Sequence, residues 1–292
     1  MKPTAFEYFA PRTVEEVVAA LAGGDTRVLA GGQSLVLEMN YRTVRPARLV
    51  DINRVAEFTG LDAGDGVLRV RPLVRHRAFE RDISAGPLGR LLSSVVHNIA
   101  HPPIRARGTM LGSLAYAHPA AEWPAVATAL DAQLDLTGPD GTRTVAAEAF
   151  FAGPFDTVRR PEELLSEARL PLLPDRAGVG FVEHRRTHAS FAQLAAIAAL
   201  TVRDGVIDWV RLGLVNAAER PVRAHAAERA LLGQPADAGT LTGAARVAGE
   251  QDADPREQPH ASAGYQRHAV GVLVRRALEA AVRDAGAVGD GR

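Results

Sequence analysis

Two short stretches set glycine beside small hydroxyl and amide side chains: Leu29-Ala30-Gly31-Gly32-Gln33-Ser34-Leu35 and Gly108-Thr109-Met110-Leu111-Gly112-Ser113. Glycine lets a backbone approach a ligand closely and adopt positive φ. Exposed N–H groups in such a turn form a concave nest for an anion, with no lysine or arginine needed on the phosphate itself. A single Gly-Gly pair is usually just a turn. Two such loops, separated by most of a domain, suggest a long phosphate-bearing ligand gripped from both sides, and a dinucleotide fits that description.

Other residues of chemical interest are less pointed. His118 stands just before Pro119, where a helix is expected to open, and an imidazole there has the chemistry to act as acid, base or hydrogen-bond partner. His97 and His101 are four apart on a predicted helix, as are His184 and His188, a spacing that suits a metal. Asn98 stands where a His-Glu-x-x-His protease has its glutamate, and Pro102 follows His101, so solvated histidines are the expectation and no metal site is assigned. There is no Gly-x-Ser-x-Gly elbow and no Walker loop.

The elements that must position these groups are legible in outline. Thr13 and Glu16 form a capping-box pattern, Val14, Val17, Val18 and Leu21 supply an apolar face, and Gly23-Gly24 ends the helix. Arg27–Ala30 reads as a strand running into the first glycine loop, with a short helix over Leu35–Tyr41 and a strand over Arg48–Ile52. Asp65-Gly66 marks a hairpin leading to Val67–Val70. Phe79 is read as opening a helix, and another spans Leu88–Ile99, stopped by Pro102-Pro103. Pro119 is placed at the first position of a helix continuing over Ala121–Leu130. Gly138-Pro139-Asp140-Gly141 turns a second hairpin. Past Leu173–Gly178, two strands (Ala192–Val202 and Trp209–Val215) flank Asp204-Gly205, and alanine-rich helices follow near 224–232, 239–249 and 263–284. This C-terminal part has no glycine loop and is expected to cover the ligand.

Composition bounds the function. The 292 residues suffice for two or three cored domains. Net charge is zero and no basic block appears, which argues against nucleic acid. The chain has no cysteine, excluding disulfides, thiolate zinc and protein-ligated iron–sulfur clusters within it. No apolar run reaches membrane-spanning length, and the first residues lack an apolar signal core, so a cytoplasmic protein is expected.

At these motifs the chain resembles the flavin-binding medium subunits of molybdenum hydroxylases, the family of the xanthine dehydrogenase and aerobic carbon monoxide dehydrogenase flavoproteins. Its first loop is similar to the family's Ala-Gly-Gly-Gln/His-Ser, and Arg105–Leu114 to Arg-Asn-Arg-Gly-Thr-Ile-Gly-Gly-Ser-Leu. Pro119–Val126, Phe150–Pro154, Arg185-Arg186 ahead of Phe191-Ala192, and Tyr265–His268 follow in family order. The resemblance implies an α+β fold: a two-part FAD-binding domain, with a small N-terminal β-α-β subdomain (1–55) and a larger mixed α/β subdomain (56–174), then a C-terminal α+β flavoprotein domain (175–286) and a tail (287–292).

It also implies that Ala30, Gly31, Gly32, Gln33, Ser34 and Leu35 hold the FAD pyrophosphate. Thr109, Gly112 and Ser113 would lie against the ribityl and phosphate region, and Glu122 would accept from FAD hydroxyls; read alone, Glu122 is more often a helix-start acid favoured by the dipole. Electrons would arrive from a partner's iron–sulfur clusters, beside a molybdopterin subunit, and leave through FAD to an acceptor.

Departures leave alternatives open. Leu111 replaces a loop glycine and is expected to crowd the flavin, Ala106 replaces asparagine, and His118 replaces aspartate. Tyr116 stands where histidine is common, Ser190 replaces the C-terminal aspartate, and Val74 replaces a threonine in Arg71–Arg75. A stand-alone FAD enzyme acting on its own small substrate, with His118 as a catalytic residue, is one alternative. A non-catalytic scaffold that has lost flavin is another.

Overall fold

The computed structural model describes residues 1–81, 86–258 and 261–289. The N-terminal part runs β1 (Glu7–Phe9), α1 (Val14–Leu21), β2 (Thr26–Leu29), α2 (Leu35–Tyr41), β3 (Arg48–Asp51), and its strands form a parallel sheet in the order β1-β3-β2. The capping pattern forms: the Glu16 N–H donates to Thr13 Oγ1 at 3.2 Å, while Glu16 Oε2 accepts from the Arg12 N–H at 2.7 Å. Val17 and Leu21 pack on Val50, Ile52 and Phe58. Strand β1 leaves no sequence signal, because its three residues are all exposed and only pairing with β3 orders them.

The middle part contains β4 (Leu61–Gly64), β5 (Val67–Val70), α3 (Pro87–Val96), α4 (Pro102–Arg105), α5 (Met110–Tyr116), α6 (Glu122–Ala129), β6 (Gln133–Gly138), β7 (Gly141–Ala146), α7 (Ala147–Phe150), β8 (Phe151–Gly153), β9 (Asp156–Thr157) and β10 (Leu164–Pro171). Five of these strands form an antiparallel sheet, β4-β5-β10-β6-β7, in which β10 joins the two hairpins. Three expectations change here. Helix α3 ends at Val96, and Pro102-Pro103 opens α4, where a missing N–H costs nothing. Phe79 lies in a 3₁₀ turn (His76–Glu80). Pro119 stands outside α6, whose first turn carries Pro124 instead.

The last part comprises β11 (Gly178–His184), β12 (Leu194–Arg203), β13 (Val206–Val215), β14 (Val222–Arg223), α8 (His225–Leu231), α9 (Ala238–Val247) and α10 (Ala263–Gly289). The sheet is antiparallel in the order β11-β12-β13-β14. Strand β12 is buried on both faces. Leu194, Ala196, Ala198 and Leu200 point to α8–α10, while Ala195, Ile197 and Ala199 join the core of the middle part. Every residue of α6 is buried, as a helix filling the space between two layers must be. Gly213 on β13 lets it approach: a Cβ there would lie 2.7 Å from that of Ala129. The expected tail from 287 begins inside α10, and residues 290–292 lie outside the described residues.

Candidate functional site

The two glycine loops, far apart in sequence, touch in the fold. A Cβ on Gly31 would fall on the Arg107 carbonyl and 2.7 Å from Gly108 Cα. A Cβ on Gly108 would in turn sit 2.7 Å from the His76 ring. Gly32 is glycine for another reason, its φ of +73°. One loop is therefore stacked on the other, and the His76 ring lies beneath Gly108 of the second. That ring is held by the Trp123 indole N–H, which donates to Nδ1 at 2.9 Å. Burial, then the charges of Arg105 and Arg75, push His76 down to about 4, so it stays neutral with its proton on Nε2.

What the stacked loops leave open is a row of donors. Among the described residues, no hydrogen bond takes the backbone N–H groups of Gly31, Gly32, Gln33, Ser34 or Leu35, and the Ser34 hydroxyl makes no cap bond. Gln33 folds its amide back to the Gly31 carbonyl at 3.3 Å, and the Ala30 carbonyl accepts from Asn53. In the second loop the Thr109 hydroxyl accepts from the Gly112 N–H at 3.0 Å and caps α5. Thr109 is buried, so it shapes the loop from behind, whereas Gly112 is exposed and Ser113 half-buried. Leu111 does not crowd the site: its side chain is in the middle core, and the backbone there is ordinary helix that needs no glycine.

Beside the loops lies an aromatic group. The His118 ring stacks on Phe191 (centroids 4.0 Å apart, planes within 3°) and meets Phe155 edge-on at 5.0 Å. Its Nδ1 accepts from the Ala120 N–H at 3.0 Å, leaving the proton on Nε2, and burial pushes its pKa down. Tyr116 packs against Phe155 and donates its hydroxyl proton to Glu38 at 3.1 Å, tying α5 to α2. Burial, with the Glu38 charge and hydrogen bond, raises that phenol to about 12.

Residues 4–173 match the family described as the FAD-binding domain in molybdopterin dehydrogenase, and residues 180–281 the carbon monoxide dehydrogenase flavoprotein C-terminal domain. The chain belongs to this flavoprotein family. It is 39% identical to the caffeine dehydrogenase subunit beta of a Pseudomonas species, over 80% of this chain and 81% of that one. It is 34% identical to the 6-hydroxypseudooxynicotine dehydrogenase complex subunit alpha of Paenarthrobacter nicotinovorans, over 98% and 97%. Among solved structures, a chain of the Hydrogenophaga pseudoflava carbon monoxide dehydrogenase superposes with a TM-score of 0.92 at 33% identity, covering 97% of this chain and 99% of that one.

The residues present fit FAD. Consecutive free amides suit a pyrophosphate; a side chain larger than glycine at Gly31 would force the loops apart, and one at Gly108 would strike the His76 ring. Glu122 is placed differently from the expectation of an ionised acceptor. It is buried at the start of α6, where burial and the nearby Glu183, opposed by its own N–H and by Arg185, raise its carboxyl to about 8. At neutral pH it therefore carries a proton and is able to donate.

Glu183 itself went unnoticed in the sequence. Both of its carboxylate oxygens are buried without a hydrogen-bond partner among the described residues; Arg185 Nη1 stands 3.6 Å away, and burial raises the group to about 7. Strand periodicity carried the signal, because Val179, Phe181 and Glu183 alternate onto the core-facing side of β11.

The histidine pairs do not chelate. His97 caps the end of α3 with Nδ1 2.6 Å from the Ser93 carbonyl, His101 precedes α4, and His184 ends a strand, so neither pair shares a helix. Among the described residues no cluster of three metal-binding side chains forms.

Proposed function

We propose that this chain is the flavin subunit of a cytoplasmic molybdenum hydroxylase, receiving electrons from the iron–sulfur clusters of one partner subunit, beside a molybdopterin subunit, and delivering them to a small acceptor. The observation that carries the reading is the row of unpaired amides from Gly31 to Leu35 stacked on Arg107-Gly108. The names of its relatives, a subunit beta and a complex subunit alpha, support the partnership. The absence of cysteine requires any thiolate-held cluster to sit on another chain. Among the described residues, no helix is long and apolar enough to cross a membrane.

In this reading residues 1–55 and 56–174 hold the cofactor between them, 175–286 pack behind it, and 287–292 are a tail. The amides of Gly31, Gly32, Gln33 and Ser34, with the Ser34 hydroxyl, bind the pyrophosphate, while Ala30 and Leu35 set the ends of the loop. Gly112 and Ser113 lie against the ribityl and phosphate region, with Thr109 holding their helix start in place. Glu122, buried and protonated at the start of α6, lies beside Glu183 behind the cofactor rather than accepting from it. His118, neutral and stacked on Phe191, walls the site. FAD, when bound, supplies the exchange between one-electron and two-electron carriers. The protein binds it, orients it and keeps water off its face.

The test is to purify the chain from its native host and record visible spectrum, flavin identity and accompanying subunits. A yellow complex releasing FAD and containing an iron–sulfur subunit is expected. A colourless chain that rejects added FAD would show a scaffold, and partner-free turnover of a substrate would show a stand-alone enzyme.

A further inference from the structure

Behind the two loops lies a polar crosspiece that the cradle itself does not use. Asn53, half-buried just after β3, donates through Nδ2 to the Ala30 carbonyl at 2.8 Å and to Asp51 Oδ1 at 2.6 Å. Its Oδ1 accepts from Arg75 Nη2 at 2.5 Å, and Arg75 Nη1 donates to the Arg107 carbonyl at 2.5 Å. One side chain thus grips the strand end that enters the first loop. The other grips the residue that enters the second, and the two grip each other. The orientation of Asn53 is determined, since three acceptors (the Leu29 and Ala30 carbonyls and Asp51 Oδ1) face its NH₂ and a guanidinium faces its oxygen. Asp51 is anchored in turn by the Tyr8 hydroxyl, which donates to Oδ2 at 2.5 Å, and by the Asn53 N–H at 2.9 Å. Burial opposes the charge of Asp51, yet these bonds and Arg54 hold its carboxyl below the usual range.

We propose that Asn53 and Arg75 are positioning residues for the cofactor: they register the first loop against the second so that its free amides converge on one anion. This rests on the proposed FAD site. The bonding atoms are spent on protein carbonyls and on one another, so neither residue needs to touch the ligand. The geometry also explains why the Gly31–Gly108 approach is held so closely, because backbone contact alone has no directional bond to maintain it. Arg75 brings charge as well as geometry: it lies near Arg107 and Arg77, with Asp51 as the opposing charge. The two contributions are separable, because lysine keeps the charge and lacks the fork that spans Asn53 and Arg107.

The experiment measures FAD affinity of the full-length, flavin-stripped chain by fluorescence quenching, with the thermal midpoint of the flavin-free protein recorded beside it. Wild type, Asn53→Ala, Arg75→Gln, Arg75→Lys and the Asn53→Ala/Arg75→Gln double variant are compared. Each single variant is expected to weaken FAD by about 10- to 100-fold, the size of one charge-assisted hydrogen bond. The flavin-free midpoint should move little, and the double variant should lose little more than either single one, as coupled residues do. Arg75→Lys should lose affinity like Arg75→Gln. Wild-type affinity in the single variants overturns the inference while leaving the FAD site standing. Full affinity in Arg75→Lys alone assigns the effect to charge and overturns the positioning role. Affinity lost only in step with the flavin-free midpoint makes the crosspiece a stability element and overturns it too. A wild-type chain that binds no FAD removes the functional reading and this inference together.

Discussion

Two junctions among the described residues leave polar groups without hydrogen-bond partners on opposite principles. At the loop junction, donors from Gly31 to Leu35 are unpaired but open outward, so a bound anion satisfies them. At the junction of α6 with β11 the unpaired atoms are acceptors: among the described residues both Glu183 oxygens are buried without a hydrogen-bond partner, and Glu122 nearby is buried as a whole residue. An open row of donors needs only a ligand. A closed carboxyl pair responds by taking up a proton, because Arg185 offsets only part of the cost of burying its charge. One junction therefore responds to a ligand and the other to pH.

The sharpest way to break this contrast is at the loops. Gly32→Val puts a β-branched residue at positive φ, and Gly31→Ala drives a methyl into the Arg107 carbonyl. Each should reduce FAD retention by about 100-fold or more, read as flavin per chain after gel filtration. Unchanged yellow colour in both would put the phosphate elsewhere.

The acid junction should leave flavin retention alone and speak through pH. Unfolded, both carboxyls titrate near 4.5; folded, Glu122 titrates near 8 and Glu183 near 7. Between those values the folded chain holds protons that the unfolded chain has released, so this stabilisation is complete below about 4.5 and is lost as pH rises towards 8. The thermal midpoint should fall by several degrees from pH 6 to pH 9 in wild type. Glu183→Gln should flatten that slope; an equally steep slope in the variant would show the pair is not its source.

His76 gives the opposite sign and a smaller window. Its folded value of about 4 lies below its ordinary 6.5, so the unfolded chain gains a proton first, and stability is lost as pH falls from about 6.5 to 4. Because the ring lies under Gly108, FAD release from the folded chain should set in as pH falls towards the ring's folded value of about 4, measurable by flavin fluorescence. Release that begins only well below pH 4 would disconnect this ring from the loop.

How much of this was legible in the sequence follows the same division. The glycine loops, α1, α2 and the β12–β13 hairpin are local patterns, and local pattern survives folding. Strand β10 is not such a pattern, since Leu164-Leu165-Ser166-Glu167-Ala168 carries no strand preference; pairing with β5 and β6, and salt bridges from Glu167 to Arg69 and Arg71, decide it. The contact of Gly31 with Gly108, the Asn53–Arg75 crosspiece and the Glu122–Glu183 pair each join residues distant in sequence, and spacing says nothing of them. Leu111 and Glu122 show the converse: residues matched or mismatched to a motif by type, whose side chains turn inward, one into the core and the other into the acid junction.

The smallest expected effect is at His118. With Nδ1 taken by Ala120 and the ring stacked on Phe191, it is built as a wall. His118→Ala should slow flavin reduction by less than about tenfold, against the roughly 10²–10⁴ that a general acid or base supplies. A loss in that larger range would return the stand-alone reading.

The central claim is that the stacked loops form one pyrophosphate cradle. It is tested most directly by calorimetric titration of the flavin-free chain with FAD and, separately, with FMN, which has a single phosphate and no pyrophosphate. The account predicts one FAD per chain, bound at least about 100-fold more tightly than FMN. Equal affinities, or a preference for FMN, would contradict it.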